Sequence, residues 1–208
     1  MSARLSVEIE TCPLDQIEAE LAVVGSFSDE RPLRGGAGRA DWRLCGLISE
    51  LLASGRLSGD RGEVLLTPSF GRIRAERILW FGLGSRARYR PGSLRKLCTE
   101  AVVRAGQLGL GRLVIAPLGF TPDDFPRHAE AVLTGAAIGA RRLDRALRLW
   151  LPLPEDEAEA AYWALEKATK APDAQGVALT LARSDSSPPG GASRGPTRHG
   201  TPHATHRY

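Results

Sequence analysis

The chain has 208 residues, of which 42% are hydrophobic and 25% charged; this is enough for one domain of ordinary size with its own core, and typical of a soluble globular protein. Its net charge of +4 is mildly basic, and arginine supplies 25 of the 28 basic side chains; charge of this kind attracts polyanions weakly, so it supports only weak, non-specific nucleic-acid binding. No apolar run approaches the roughly 18 residues needed to cross a bilayer, the opening MSARLSVEIE lacks the apolar centre of a signal peptide, and three scattered cysteines (Cys12, Cys45, Cys98) argue against a disulfide framework. Together these point to a cytoplasmic protein without membrane segments.

Taken in chain order, RLSVEIE (4–10) alternates apolar and polar residues as a strand does, and ELAVVGSF (20–27) is a continuous apolar run like a buried strand. ADWRLCGLISELLAS (40–54) puts Trp42, Cys45, Ile48, Leu51 and Leu52 on one face of a single helix, with Asp41 as its N-cap. GEVLLTPS (62–69) and ERILWFGLG (76–84) read as two further strands. SLRKLCTEAVVRAGQLG (93–109) reads as a helix that starts after Pro91 with Ser93 as cap, presents Leu94, Leu97, Ala101, Val102, Ala105 and Leu108 inward, and stops at Gly109. GRLVIAPLG (111–119) is a strand, and FPRHAEAVLTGAAIGARR (125–142) is a helix burying Ala129, Val132, Leu133 and Ala136. RALRLWLPL (145–153) is a strand, followed by the helix PEDEAEAAYWALEKATK (154–170), with acids in its first turn where the helix dipole favours them. Trp42, Trp80, Trp150 and Trp163 all read as core, as do Cys45 and Cys98.

The later βα alternation implies parallel strands with helices on both faces of one sheet. From Ala171 the composition turns to Pro, Gly, Ser, Thr and His. Such a segment buries too little apolar surface to offset its chain entropy. We therefore expect a folded domain over 1–170 and a disordered tail over 171–208, whose His199, His203 and His206 have nothing to fix a metal geometry.

Four stretches, DERPLRGGAGRADWRLCGLISELL, GDRGEVLLTPS, RILWFGLGS and LRKLCTEAVVRA, together resemble the N-terminal domain of the leucyl aminopeptidases, peptidase family M17. That resemblance spans about residues 5–170 and implies an α/β fold of three α/β/α layers around a mixed sheet, similar to the macro domains that bind ADP-ribose. It implies a homo-oligomer or a protein partner. In that family a second domain carries the two metal ions and the catalytic residues, and no NTDAEGR-like stretch occurs here. The expectation is therefore a non-catalytic binding, assembly or regulatory module with no cofactor and no catalytic residue. The alternative is a receptor or enzyme for ADP-ribose or a related nucleotide.

Two stretches are candidates for binding. FGLGSRARYRPGS (81–93) has Gly82, Gly84 and Ala87 in a G-x-G-x-x-A spacing. A dinucleotide fingerprint needs a helix to open at its glycines, and here RYRPG intervenes. The stretch is thus either a solvated basic turn or an anion site built from the Gly82 and Gly84 amides with Ser85 and Arg86 or Arg88. In RPLRGGAGRADW (31–42), Gly35, Gly36 and Gly38 stand where macro domains wrap a ligand, or else form a plain loop. Arg34, Arg39, Arg86, Arg88 and Arg90 form one basic patch if the two loops meet at the carboxyl ends of the strands, where open α/β sheets hold their ligands.

Overall fold

The computed structural model describes residues 3–143 and 145–184. Seven strands form one sheet: β1 (Arg4–Glu10), β2 (Leu21–Ser26), β3 (Val64–Pro68), β4 (Arg77–Gly82), β5 (Arg112–Ile115), β6 (Ala146–Pro152) and β7 (Ala178–Arg183). Their spatial order is β3-β4-β2-β5-β6-β1-β7. Only β3 runs antiparallel to its neighbour; every other pair is parallel.

Strand alternation divides the core between the two faces. On β2, Leu21 and Val23 enter one cluster and Ala22 and Val24 the other; on β4, Leu79 and Phe81 separate from Ile78 and Trp80 in the same way. The first face is covered by α3 (Pro91–Gln107), α4 (Phe125–Leu143) and α5 (Glu155–Ala168), and the second by α1 (Gly35–Arg43) and α2 (Leu47–Ala53). The fold is the expected three-layer α/β/α arrangement around a mixed sheet. Close packing of α3 on α4 depends on small residues: a Cβ on Gly135 would run into the Arg95 carbonyl oxygen, and one on Gly139 would stand 2.7 Å from the Val102 Cβ.

Several expectations need correction. The helix expected over 40–54 is two helices, because Cys45 (φ 57°) and Gly46 (φ 83°) adopt left-handed backbone between them. Asp41 does cap a helix, but the second one: it lies in α1, and its carboxylate accepts the amides of Ile48 (2.8 Å) and Ser49 (3.1 Å) at the start of α2. Cys45 is exposed, whereas Cys98 is buried and its thiol is pushed up to about 12 by desolvation. Trp80 and Trp150 are core residues; Trp42 (72% exposed) and Trp163 (60%) are not. Helix α3 begins at Pro91 with Arg90 flanking it, not at Ser93. Leu108, at its C-terminal end, is exposed.

The largest correction concerns the domain boundary. Residues 178–183 form β7, paired in parallel along β1 from Arg4↔Ala178 to Ile9↔Arg183. The sheet therefore continues past Ala171, because strand pairing satisfies the backbone of a segment whose side chains are only half-buried. Residues 185–208 of the expected tail, including its three histidines, lie outside the described residues.

Candidate functional site

Six of the seven strands are parallel, so the segments leaving them collect at one edge of the sheet. Thr11–Leu14 follow β1, Phe27–Arg31 follow β2, Leu83 follows β4, Ala116–Pro122 follow β5, and Pro152 ends β6 with Leu153 and Pro154 after it. Between them lies a cleft of about 760 Å³, closed on one side by the start of α1. This is the size and position of a small-molecule site in an open α/β sheet.

The cleft has two characters. Phe27, Leu83, Phe120 and Leu153 provide apolar walls, and Arg31, Arg34, Arg39 and Arg86 provide positive charge against Asp29 and Glu30. Both acids are engaged. Asp29 accepts the Ser85 hydroxyl (3.0 Å) and the Arg86 amide (3.1 Å), which holds its carboxyl below the ordinary aspartate value despite some desolvation. Glu30 takes the Arg86 guanidinium at 2.6 Å, and that guanidinium lies 4.2 Å from the centre of the Phe27 ring. Arg31 donates to the Glu30 carbonyl oxygen (2.6 Å). Arg34 is exposed and has no ion-pair partner among the described residues. It sits immediately before α1, whose first amides have no acceptor within their own helix. Arg34 and those amides give one end of the cleft a free positive potential.

Tyr89 packs behind the lining, against Phe27. Its hydroxyl donates to the Leu118 carbonyl oxygen (2.5 Å), and its ring meets Phe27 edge-on at 5.2 Å. Burial holds this phenol well above its ordinary pKa, so it stays a donor.

Helix α1 is anchored from below. Asp15, whose side chain is 2% exposed, receives Arg39 and Arg43 from that helix, Arg43 Nε at 2.7 Å. Desolvation alone would raise the Asp15 carboxyl, but the two arginine hydrogen bonds outweigh it and hold it below the usual range. A carboxyl depressed by folding stabilises the fold above its unfolded value and loses that contribution as pH falls towards its folded one. Asp15→Asn is accordingly expected to cost about 1–2 kcal/mol at pH 7, at the lower end for charged hydrogen bonds because both guanidiniums are partly solvated. Denaturant melts should show this deficit shrinking as pH drops below about 4; a deficit independent of pH would contradict the assignment.

The structure brings together some of the expected site residues and separates others. Gly35, Gly36 and Arg86 line the cleft, together with Arg34 and Arg39 from the expected basic patch. Gly38 faces the Leu33 carbonyl within α1. The Gly82 and Gly84 amides donate to the carbonyl oxygens of Glu63 (3.0 Å) and Gly59 (2.9 Å), which removes both from any phosphate cradle. The Ser85 hydroxyl and Arg86 amide serve Asp29, and Arg88 and Arg90 lie outside the lining. The turn after β4 thus joins two loops, and contributes Leu83 and Arg86 to the cleft. Phe27, Asp29, Glu30 and Phe120 were not singled out from the sequence. Taking the residues just past each parallel strand would have found all four.

Among the described residues, no cluster of three His, Cys, Asp or Glu side chains is placed to hold a metal, and no helix is long and apolar enough to cross a membrane.

Comparison with known proteins adds a lineage to this geometry. Residues 23–148 match the family described as the cytosol aminopeptidase family, N-terminal domain. A probable cytosol aminopeptidase of Solibacter usitatus is 30% identical over 143 residues, 68% of this chain but 27% of its own. The one from Alkaliphilus oremlandii is 24% identical over 142 residues, 68% of this chain and 28% of its own. The chain therefore spans less than a third of the length of these relatives. Among solved structures, a tomato leucine aminopeptidase mutant superposes with a TM-score of 0.59 at 17% identity, covering 81% of this chain and 37% of that one. A Trypanosoma brucei macrodomain in complex with ADP-ribose superposes with a TM-score of 0.54 at 16% identity, covering 74% of this chain and 67% of that one. At these identities the structural likeness shows a common fold.

Proposed function

The chain belongs to the cytosol aminopeptidase family through its N-terminal domain, and on that footing we propose that it is a non-catalytic binding module whose cleft takes a phosphorylated small molecule of the nucleotide class, ADP-ribose among them. The observation that carries this reading is the pairing, within one cleft, of an unpaired cation at a helix start (Arg34, Gly35, Gly36) with apolar walls wide enough for a base. The neighbouring macrodomain with ADP-ribose bound supports it. The cleft's two acids are held by Ser85 and Arg86, which suits them to orienting a ligand more than to proton transfer. The peptidase activity in the relatives' names belongs to proteins more than three times the matched length, and a cytosolic location follows those names. Weak nucleic-acid binding would draw on the same arginines.

The test is a thermal-shift titration of the full chain with ADP-ribose, ADP and inorganic phosphate. Ligand at 100 times its dissociation constant stabilises a fold by about 2.7 kcal/mol, a shift of several degrees. We expect saturable stabilisation by ADP-ribose, lost in Arg34→Glu. No shift with any of the three, or an unchanged shift in the variant, would remove this reading. Turnover of a leucyl-anilide by the pure chain, abolished by chelation, would overturn the non-catalytic part.

A homo-oligomer or protein partner is a second reading. It draws on the exposed apolar side chains Trp42, Leu66 and Phe70.

A further inference from the structure

We propose that the cleft holds a two-ended ligand, a 5′–5′ dinucleotide whose diphosphate lies at the start of α1 and whose two bases extend to either side, one of them stacked on Arg86. This rests on the reading of the cleft as a nucleotide site and narrows it.

Sheet topology sets the parts of the cleft in a row. Its floor is made by the ends of five neighbouring parallel strands, in the order β4, β2, β5, β6, β1. At about 4.8 Å from strand to strand, that row is on the order of 19 Å long. Its middle is the switch point of the sheet. After β2 the chain passes through α1 and α2 to β3 and β4 on one side; after β5 it passes through α4 to β6 on the other. Open α/β sheets take dinucleotides across the crevice at such a point. The start of α1 is seated there, because Gly36 lies against Ala116, just past β5, and Val24 of β2. Arg34 and the first amides of α1 thus stand near the middle of the row, with room on both sides.

A phosphate held in the middle leaves two ends to fill. Over β5, β6 and β1 the wall is apolar: Phe120, backed by the His128 ring stacked on it at 4.5 Å, faces the cleft with Leu153 and Pro154. Over β2 and β4 the wall is Arg86. Its charge is offset by Glu30 at 2.6 Å, and Asp29 stands beside them, so this end repels a phosphate more than it attracts one. What remains is the planar guanidinium. Phe27 beneath it is 2% exposed, so a ring entering from the cleft meets Arg86 first. The Arg86 side chain is 59% exposed and lines the cleft, which leaves the side turned away from Phe27 open. Nucleobases stack on guanidinium planes of this kind. The shelf is also fixed in advance: Phe27 lies behind it, Glu30 holds its tip, and Asp29 accepts its backbone amide at 3.1 Å. A ligand with a sugar at one end, ADP-ribose for example, leaves one of the two compartments without a ring.

The experiment is isothermal titration calorimetry of the full chain with ADP, ADP-ribose and diadenosine 5′,5′-diphosphate, with circular dichroism confirming the fold of each variant. The last two ligands share one nucleoside and the diphosphate, and differ in whether a second base is present. The dinucleotide should bind about tenfold tighter than ADP-ribose or more, as one added stacked base provides. Arg86→Lys keeps a charge opposite Glu30 and removes the plane, so it should erase that gain. Arg34→Glu should weaken all three ligands. A dinucleotide that binds no tighter than ADP-ribose, or a gain that survives Arg86→Lys, would overturn the inference and leave the nucleotide reading of the cleft standing. Failure of all three ligands to bind the wild-type chain would remove both.

Discussion

Replacing Trp80 with alanine is expected to cost about 3–5 kcal/mol of folding stability, lowering the melting temperature by on the order of 10 °C in a domain of this size. Trp80 is fully buried on β4, one strand in from the edge, among Val24, Ile48 and Ile78 in the cluster beneath α1 and α2. Its indole N–H donates to the Ser26 hydroxyl at 3.0 Å, and Ser26 is itself fully buried at the end of β2, where the chain turns into the cleft. Removing the ring opens a large cavity and orphans that hydroxyl at once. Trp80→Phe separates the two costs: it keeps most of the apolar volume and loses the hydrogen bond, about 1–3 kcal/mol for a buried polar group left without its partner. Calorimetric melts should therefore rank wild type, then phenylalanine, then alanine. Equal losses for the two variants would mean that cavity volume contributes little there.

The strands were legible because burial on both faces leaves a direct mark on composition. RLSVEIE and ELAVVGSF gave β1 and β2 almost to the residue. β7 was missed because an edge strand has only half-buried side chains, so ALTLAR carries little of the apolar signal that identified the others. The helical face drawn over 40–54 assumed an unbroken 3.6-residue period. The left-handed pair Cys45–Gly46 restarts the helix, so the face of α2 no longer continues the face of α1, and Trp42 falls on the solvent side. Helix α5 presents Ala158, Ala161, Leu165 and Ala168 inward at ideal spacing, which leaves Trp163 outside. Four modest residues set that orientation, against the pull of one large one.

The site was legible in its placement more than in its parts. Parallel topology alone located it at the carboxyl ends of the strands. Of the two alternatives for Gly82 and Gly84, a basic turn or an anion site, local spacing could not choose; their amides are taken by Glu63 and Gly59, on a loop some twenty residues earlier, which leaves the turn. Asp29, which orders Ser85 and Arg86 from 56 and 57 positions away, is likewise invisible until the loops are brought together.

With the cleft binding ADP-ribose as proposed, Gly36→Val is expected to remove the thermal shift that ligand causes while costing about 1–3 kcal/mol of stability, as overpacking does. The φ of Gly36 is unexceptional, so the substitution is not forbidden by the backbone; the constraint is approach. A Cβ there would overlap the Cβ of Ala116, at the end of β5, and stand 3.5 Å from a methyl of Val24 on β2. Only a residue without a side chain lets the start of α1 lie directly on the two central strands, and that contact sets the distance between the helix amides, Arg34 and the cleft floor. A Cβ must push α1 outward or tilt it. Either movement carries the positive end of the helix away from where a phosphate would rest, and binding of this kind falls steeply with misplaced donors. Arg34→Glu keeps α1 in place and reverses the charge; Gly36→Val keeps the charge and moves the helix. If both abolish the shift, with circular dichroism reporting an intact fold, the helix start is the anion-binding element. If Gly36→Val binds ADP-ribose as the wild-type chain does, the close seating of α1 serves packing alone.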